Sequence, residues 1–141
     1  MGKYILLIEP SRLVRNILGV HFQLAGHNTM EFATYGLASE AIPIFEHHLP
    51  DLVFVALHTA QPESCALLKH ARAHFRDTTL VALLLSEERT HRPIQTALQE
   101  THAIALIKPF KIQDALALCH PGPLPQQPYW SGRRTTNTSK R

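Results

Sequence analysis

The chain has 141 residues, of which 45% are hydrophobic and 18% are charged, a composition typical of one globular domain with its own core. Its apolar runs are far shorter than the roughly 20 residues that span a bilayer, and its start lacks the pattern of a secretory signal, so we expect a cytoplasmic protein without a membrane segment. The net charge of +3 is uneven, because residues 121–141 carry four cations and no acid, which leaves −1 on residues 1–120.

The first half of the chain alternates between strand and helix patterns. The run from Tyr4 to Ile8 is continuously apolar, as in a central parallel strand that is buried on both faces. Ser11 can cap a helix whose apolar residues recur every three or four positions. A weaker strand pattern at residues 28–33 precedes a helical pattern over residues 36–48, in which Pro43 is unfavourable.

The second half continues the alternation. Residues 52–57 make the strongest strand pattern, because branched and aromatic side chains occupy nearly every position. The later elements follow in order: a helix around residues 65–75, a strand at 80–85, a helix from Pro93, a strand at 103–107 and a short helix at 112–119. Five strands alternating with five helices predict a doubly wound α/β fold of the flavodoxin-like type, in which a five-stranded parallel sheet carries helices on both faces.

Residues 121–141 do not continue this pattern. Four prolines and Gly122 prevent a regular helix, and the polar, basic end lacks periodicity, so we expect a disordered tail after a domain of residues 1–120. The tail is interpreted as a solvated end; alternatively, its four cations, with Tyr129 and Trp130, contact nucleic acid or an acidic partner. Four charges are few for nucleic acid, so binding to it is not expected.

Cysteine and histidine residues do not form a pattern typical of a metal site. Cys65 and Cys119 lack the spacing of metal ligands, and we expect free buried thiols. His70 and His74 lie one helical turn apart, but two such ligands bind zinc only with a third group nearby. No glycine-rich phosphate loop follows a strand, so the sequence predicts neither a metal nor a nucleotide cofactor.

The loops after the strands carry the residues of most interest, because ligands and chemistry lie beyond the carboxyl ends of the strands in a doubly wound sheet. Four such loops carry, in order, Glu9 and Pro10, Ala56, Ser86, and Lys108 with Pro109. This ordered set, with steps of 30 residues from Ala56 to Ser86 and 22 more to Lys108, resembles the response-regulator receiver family of two-component signalling across residues 3–120. The most specific part is the Lys-Pro-Phe sequence at residues 108–110.

The resemblance implies a phosphoryl-transfer chemistry that this chain keeps only in part. In the family, two acidic residues after the first strand help to hold Mg²⁺, an aspartate that ends the third strand accepts the phosphoryl group, and a hydroxyl residue and a lysine offset its charge. Glu9, Ser86 and Lys108 match three of these positions. Pro10 replaces the second acid and Ala56 replaces the nucleophile, so the resemblance implies no catalytic residue and lost or weak Mg²⁺ binding.

Two further positions of the resemblance lie on or after the fifth strand. Ala105 stands where the family usually has the switch aromatic, whose rotation reports phosphorylation. Pro109 is the candidate for a cis-proline. Because Lys108 has no aspartate partner, we hypothesise that it pairs with Glu9 and holds the pocket formed by these four loops in a fixed state.

The sequence therefore predicts a non-enzymatic, atypical receiver domain that works through protein contacts without phosphorylation. Its partner is expected to be a protein of a signalling pathway, and a homodimer through the last two helices and the fifth strand is left open. Two alternatives remain. One is phosphorylation at a non-standard residue: His58 is close to Ala56, whereas Asp51 lies roughly 16 Å from Ala56, at the opposite edge of the sheet. The other is a regulator that contacts nucleic acid through the basic tail.

Overall fold

The computed structural model describes residues 2–120, and the tail predicted at residues 121–141 lies outside this range. Within this range, five strands and five helices alternate along the chain. They are β1 (Tyr4–Ile8), α1 (Arg12–Leu24), β2 (Asn28–Phe32), α2 (Tyr35–Ala41), β3 (Leu52–Ala56), α3 (Pro62–His74), β4 (Thr79–Leu85), α4 (Arg92–Thr101), β5 (Ile104–Lys108) and α5 (Ile112–Ala117). Two short 3₁₀ helices, Ile42–His47 and Ser86–Thr90, follow α2 and β4.

All five strands are parallel, and their order in the sheet is β2-β1-β3-β4-β5. The winding starts at β1 and proceeds outward in both directions, so the crossover helices cover both faces. The predicted doubly wound fold is confirmed. Within the part of the chain that the structure describes, no helix has the length and apolar character needed to cross a membrane.

The sheet separates two layers of buried side chains. Along β1, Leu6 and Ile8 belong to the layer under α2, α3 and α4, whereas Ile5 and Leu7 belong to the layer under α1 and α5. Every residue of β3 is buried. Because both faces of these strands are covered, the sequence has continuous apolar runs there instead of an alternation of apolar and polar residues.

The ends of α1 follow from local chemistry. The Ser11 side chain accepts a hydrogen bond from the Val14 amide at 3.3 Å, which confirms the cap expected from the sequence. The helix ends before Gly26, whose φ of 92° is a conformation that glycine adopts without a steric penalty. Cys65 and Cys119 are buried and free, and burial raises the pKa of the Cys119 thiol to about 11.

The helix predicted over residues 36–48 consists of two elements in the structure. α2 ends at Ala41, and a 3₁₀ helix with Pro43 near its start continues to His47. Proline has no backbone N–H to donate to the carbonyl four residues earlier, so it interrupts the α-helical hydrogen bonds. The prediction of one continuous helix was therefore wrong in its second half.

Arg72 connects three segments at the amino-terminal edge of the sheet. Its guanidinium donates hydrogen bonds to the carbonyl oxygens of Phe75 at 2.9 Å, Arg76 at 2.8 Å, Thr78 at 2.9 Å and Thr101 at 2.8 Å. These carbonyls lie in the connection from α3 to β4 and at the end of α4. One side chain therefore holds the ends of two helices against the start of β4.

We expect Arg72→Met to lower the free energy of unfolding by about 2 kcal/mol, because it keeps the apolar stem but removes all four hydrogen bonds to the carbonyls. Urea unfolding followed by circular dichroism measures the change. The matched control is Arg76→Met, since Arg76 is exposed and its side chain forms no hydrogen bond within residues 2–120. Equal losses in the two variants would contradict the role assigned to Arg72.

Candidate functional site

A buried ion pair crosses the carboxyl edge of the sheet. Glu9, which follows β1, has no exposed surface, and Lys108, the last residue of β5, has a side chain that is 15% exposed. Lys108 Nζ donates to Glu9 Oε1 at 2.8 Å, and the Ser11 amide donates to Glu9 Oε2 at 2.9 Å. The pairing hypothesised from the sequence is present, and both carboxylate oxygens of Glu9 are engaged.

A second cation lies on the loop that follows β1. Arg15 donates from one guanidinium nitrogen to the carbonyl oxygens of Glu9 at 2.8 Å and Pro10 at 3.4 Å. Its Nε lies 3.8 Å from a carboxylate oxygen of Glu31. The oxygens of this loop are therefore turned towards positively charged groups of the chain itself.

The end of β3 lies under a tyrosine. Ala56 is fully buried, and its carbonyl oxygen accepts a hydrogen bond from the Tyr35 hydroxyl at the start of α2. Burial raises the pKa of the Tyr35 phenol well above its ordinary value, and the negative charge of Glu9 contributes to this rise. The phenol therefore stays protonated at neutral pH and remains a donor to Ala56.

Glu88 joins the loops that follow β3 and β4. Its buried carboxylate accepts hydrogen bonds from the Leu85 amide at 2.9 Å and the Thr59 amide at 3.0 Å. The Nδ1 atom of His58 lies 3.8 Å from the same carboxylate. This arrangement fixes the 3₁₀ helix Ser86–Thr90, which the sequence did not predict, against the loop after Ala56.

The other predicted positions surround these contacts without joining them. Ser86 is exposed, and its hydroxyl forms no hydrogen bond within residues 2–120. Ala105 is half-buried on β5, beside Ala82 of β4. The peptide bond between Lys108 and Pro109 is cis.

Asp51, weighed as an alternative phosphoacceptor, lies at the opposite edge of the sheet. Its carboxylate accepts a hydrogen bond from the Tyr4 amide at 2.7 Å, where β1 begins. Because β1 and β3 are parallel, this places Asp51 at the amino-terminal ends of the strands, away from Ala56. Its observed role is to connect the starts of these two strands.

The residues at the carboxyl edge do not fit a magnesium ion. Mg²⁺ is bound in proteins through carboxylates and other oxygen ligands. Here Pro10 and Ala56 offer no carboxylate, both oxygens of Glu9 are engaged by Lys108 and Ser11, and Arg15 occupies the neighbouring carbonyls. Among residues 2–120, no group of three or more histidine, cysteine or acidic side chains is placed to hold a metal.

Three residues of this edge were not identified from the sequence: Arg15, Tyr35 and Glu88. Each acts through a hydrogen bond between its side chain and a backbone group, and sequence periodicity does not report such a bond. The clearest available signal was Glu88, because an acid just after a loop hydroxyl residue is a natural acceptor for free amides at the start of a helix. Tyr35 and Arg15 had no comparable signal.

Comparison with solved structures agrees with the fold of the chain. Chemotaxis protein CheY4 of Vibrio cholerae superposes with a TM-score of 0.66 at 18% identity, over 82% of this chain and 94% of that protein. The CheY-like response regulator receiver domain protein of Methanospirillum hungatei gives a TM-score of 0.69 at 18% identity, over 82% and 89%. The chain has the receiver fold. At these identities, the superpositions concern the fold alone.

Sequence comparison links the receiver fold to curated relatives. No protein-family model matches the chain. The transcriptional regulatory protein PhoP of Escherichia coli and the virulence transcriptional regulatory protein PhoP of Shigella flexneri are each 27% identical to it over 113 residues, which is 80% of this chain and 48% of theirs. The chain thus spans about half the length of these relatives. The chain is therefore similar to response regulators in sequence over these 113 residues, and it has the fold of their receiver domains.

We expect Lys108→Met to lower the free energy of unfolding by about 3 kcal/mol, because it leaves the buried Glu9 carboxylate without its cation. The double variant Glu9→Gln with Lys108→Met should lose less than the two single variants added together, since neither charge is then unpaired. Urea unfolding at neutral pH measures all three. The control is Lys69→Met, whose pair with Glu100 is exposed, and which should change stability by less than about 0.5 kcal/mol.

Tyr35→Phe should lower the free energy of unfolding by about 1 kcal/mol at neutral pH, because the Ala56 carbonyl loses its donor. The pKa of Tyr35 is raised in the folded state, so its contribution is fully present below pH 10.0, the ordinary pKa of tyrosine, and decreases at higher pH. The difference in stability between the wild type and Tyr35→Phe should therefore shrink above that pH. A difference that grows there in urea unfolding would refute this assignment.

Proposed function

We propose that this chain is an atypical receiver domain of two-component signalling that acts through protein contacts without being phosphorylated. The observation that carries the proposal is the ion pair between Lys108 and Glu9. In the receivers that this chain resembles, the lysine offsets the charge of a phosphoryl group on an aspartate. Here the lysine is neutralised by a carboxylate of the chain itself, and a methyl group occupies the acceptor position.

Three features support the absence of phosphoryl transfer. Ala56 has no nucleophilic atom in its side chain. The oxygens that would hold Mg²⁺ are missing at Pro10 or engaged at Glu9, so the ion that normally offsets the charge on a transferred phosphoryl group has no suitable ligands. Tyr35 is bonded to the carbonyl of Ala56, so the end of β3 is covered by the chain.

The absence of a switch aromatic supports the same proposal. Ala105 and its neighbour Ala82 have only methyl groups, and a methyl group has no rotamers that could report a change in the pocket. We infer that the domain presents one fixed surface to a protein partner of a signalling pathway and does not act as an enzyme. A cytoplasmic location stays a prediction, and the alternative of nucleic-acid binding concerns residues 121–141, outside the described range.

Incubation with acetyl phosphate and Mg²⁺, followed by intact-protein mass measurement, tests the proposal. The wild type should gain no phosphoryl group. Ala56→Asp should also gain none, because Pro10 still supplies no metal ligand. The double variant Pro10→Asp with Ala56→Asp restores both missing groups and should be phosphorylated more than Ala56→Asp alone.

A known phosphoaccepting receiver supplies the positive control for this experiment. The response regulator of Burkholderia pseudomallei, whose structure contains a phosphorylated aspartic acid, shares this fold with a TM-score of 0.67 at 17% identity, over 84% of this chain and 67% of that protein. A phosphoryl adduct on the wild-type chain, for example on His58, would overturn the proposal. Efficient phosphorylation of Ala56→Asp alone would contradict the expectation that Pro10, which supplies no metal ligand, prevents phosphorylation.

A further inference from the structure

Helix α1 has two apolar faces, and only one of them is covered. Its inner face packs Val14, Leu18 and Phe22 into the core layer shared with α5. Its outer face carries four large apolar side chains that remain exposed, here called the α1 stripe: Leu13 at 70%, Ile17 at 42%, Val20 at 52% and Leu24 at 78%. A helix that only covers the sheet needs one apolar face, so the α1 stripe requires another explanation.

The α1 stripe has the geometry of a helix-packing seam. Its members are spaced by four, three and four residues, the alternation that keeps apolar side chains on one line of a helix paired with another helix. At about 100° of rotation per residue, the four side chains fall within a sector of about 60°, whose centre lies about 130° around the helix from that of the buried residues Val14, Leu18 and Phe22. No charged residue lies within the stripe.

We propose that the α1 stripe binds the same stripe of a second copy of this chain, with the two helices antiparallel. The spacing of four, three and four reads the same in both directions. An antiparallel two-fold arrangement therefore places Leu13 opposite Leu24 of the second copy and Ile17 opposite Val20 of the second copy. Such a patch complements itself, as a two-fold interface requires.

The distribution of charge favours the antiparallel orientation. Arg12 is the first residue of α1 and is exposed. In an antiparallel pair it lies beside the carboxyl end of α1 of the second copy, where the helix dipole is negative and cations are stabilising. A parallel pair would instead place the two Arg12 side chains and the two positive helix ends side by side.

The size of the α1 stripe indicates a weak dimer. Its exposed apolar surface is roughly 400 Å² per copy, so two copies bury at most about 800 Å² plus a polar rim. This area is below the roughly 1,200 Å² at which standard specific interfaces begin and falls in the range of weak, transient contacts. Because area alone does not determine affinity, the test has to cover a wide range of protein concentrations. Among residues 2–120, α4, β5 and α5 present no exposed large apolar side chain, so the apolar surface favours α1 over the dimer surface left open by the sequence.

This inference goes beyond the proposed function, because the α1 stripe does not depend on the state of the pocket. Sedimentation equilibrium of the full chain from about 1 to about 500 µM should show a reversible monomer–dimer equilibrium. Ile17→Glu should weaken the dimer by at least about tenfold, because it buries a charge against Val20 of the second copy. A full chain that stays monomeric throughout this range overturns the proposal.

A matched control and a rescue make the test specific. Leu37→Glu replaces a side chain of α2 that is 58% exposed, on the other face of the sheet, and should leave the dimer unchanged. An equal mixture of an Ile17→Glu chain and a Val20→Lys chain should recover a mixed dimer that neither forms alone, since the introduced carboxylate of one chain then faces the introduced ammonium group of the other in an antiparallel pair. Thermal unfolding by circular dichroism checks that each variant is folded.

Three outcomes of these experiments count against the proposal. A dimer that is insensitive to Ile17→Glu uses another surface. Equal weakening by Leu37→Glu means that the effect is not specific to α1. A wild-type dimer whose mixture of charge variants shows no recovery is not antiparallel through the α1 stripe.

Discussion

The fully buried carboxylate of Glu9 is the constraint on which the carboxyl edge of this receiver fold depends. A buried charge is tolerated only where other groups replace the water it has lost, and here Lys108 and the Ser11 amide do so. Glu9 follows β1 and Lys108 ends β5, and β3 and β4 lie between these two strands in the sheet. Their contact therefore spans the end of β3, where Ala56 stands, and the pair offsets internally the positive charge that a phosphoryl group would otherwise meet.

Neighbouring side chains also form hydrogen bonds with polar groups at this edge. Tyr35 donates a hydrogen bond to the carbonyl oxygen of Ala56, and Arg15 donates to the carbonyl oxygens after β1. Glu88 accepts hydrogen bonds from amides of two loops. Each of these hydrogen bonds satisfies a polar group at the carboxyl edge of the sheet, where receivers carry out their chemistry. A site that moves between two states needs groups that can change partners, whereas these groups already have partners within the chain. These contacts support the proposal that the edge maintains one shape.

The fold could be predicted from the sequence because parallel strands covered on both faces leave continuous apolar runs, and the helices between them leave a three- to four-residue period. Pro43 was recognised as unfavourable, yet the sequence pattern could not say that the chain would tighten into a 3₁₀ helix instead of ending. The pairing of Lys108 with Glu9 was accessible because the resemblance placed both at one edge. Tyr35 and Glu88 were not, since their bonds to distant backbone groups depend on tertiary geometry that no local pattern records.

The apolar residues of the α1 stripe were also present in the sequence, but periodicity alone could not distinguish a covered helix face from an exposed one. The structure makes that distinction. If the pocket is fixed, a phosphoryl group cannot set the activity of the domain, and another variable must do so. Association through the α1 stripe supplies one, because the fraction of a weak dimer follows protein concentration by mass action. A receiver of this kind would respond to how much of it is present instead of to its state of modification.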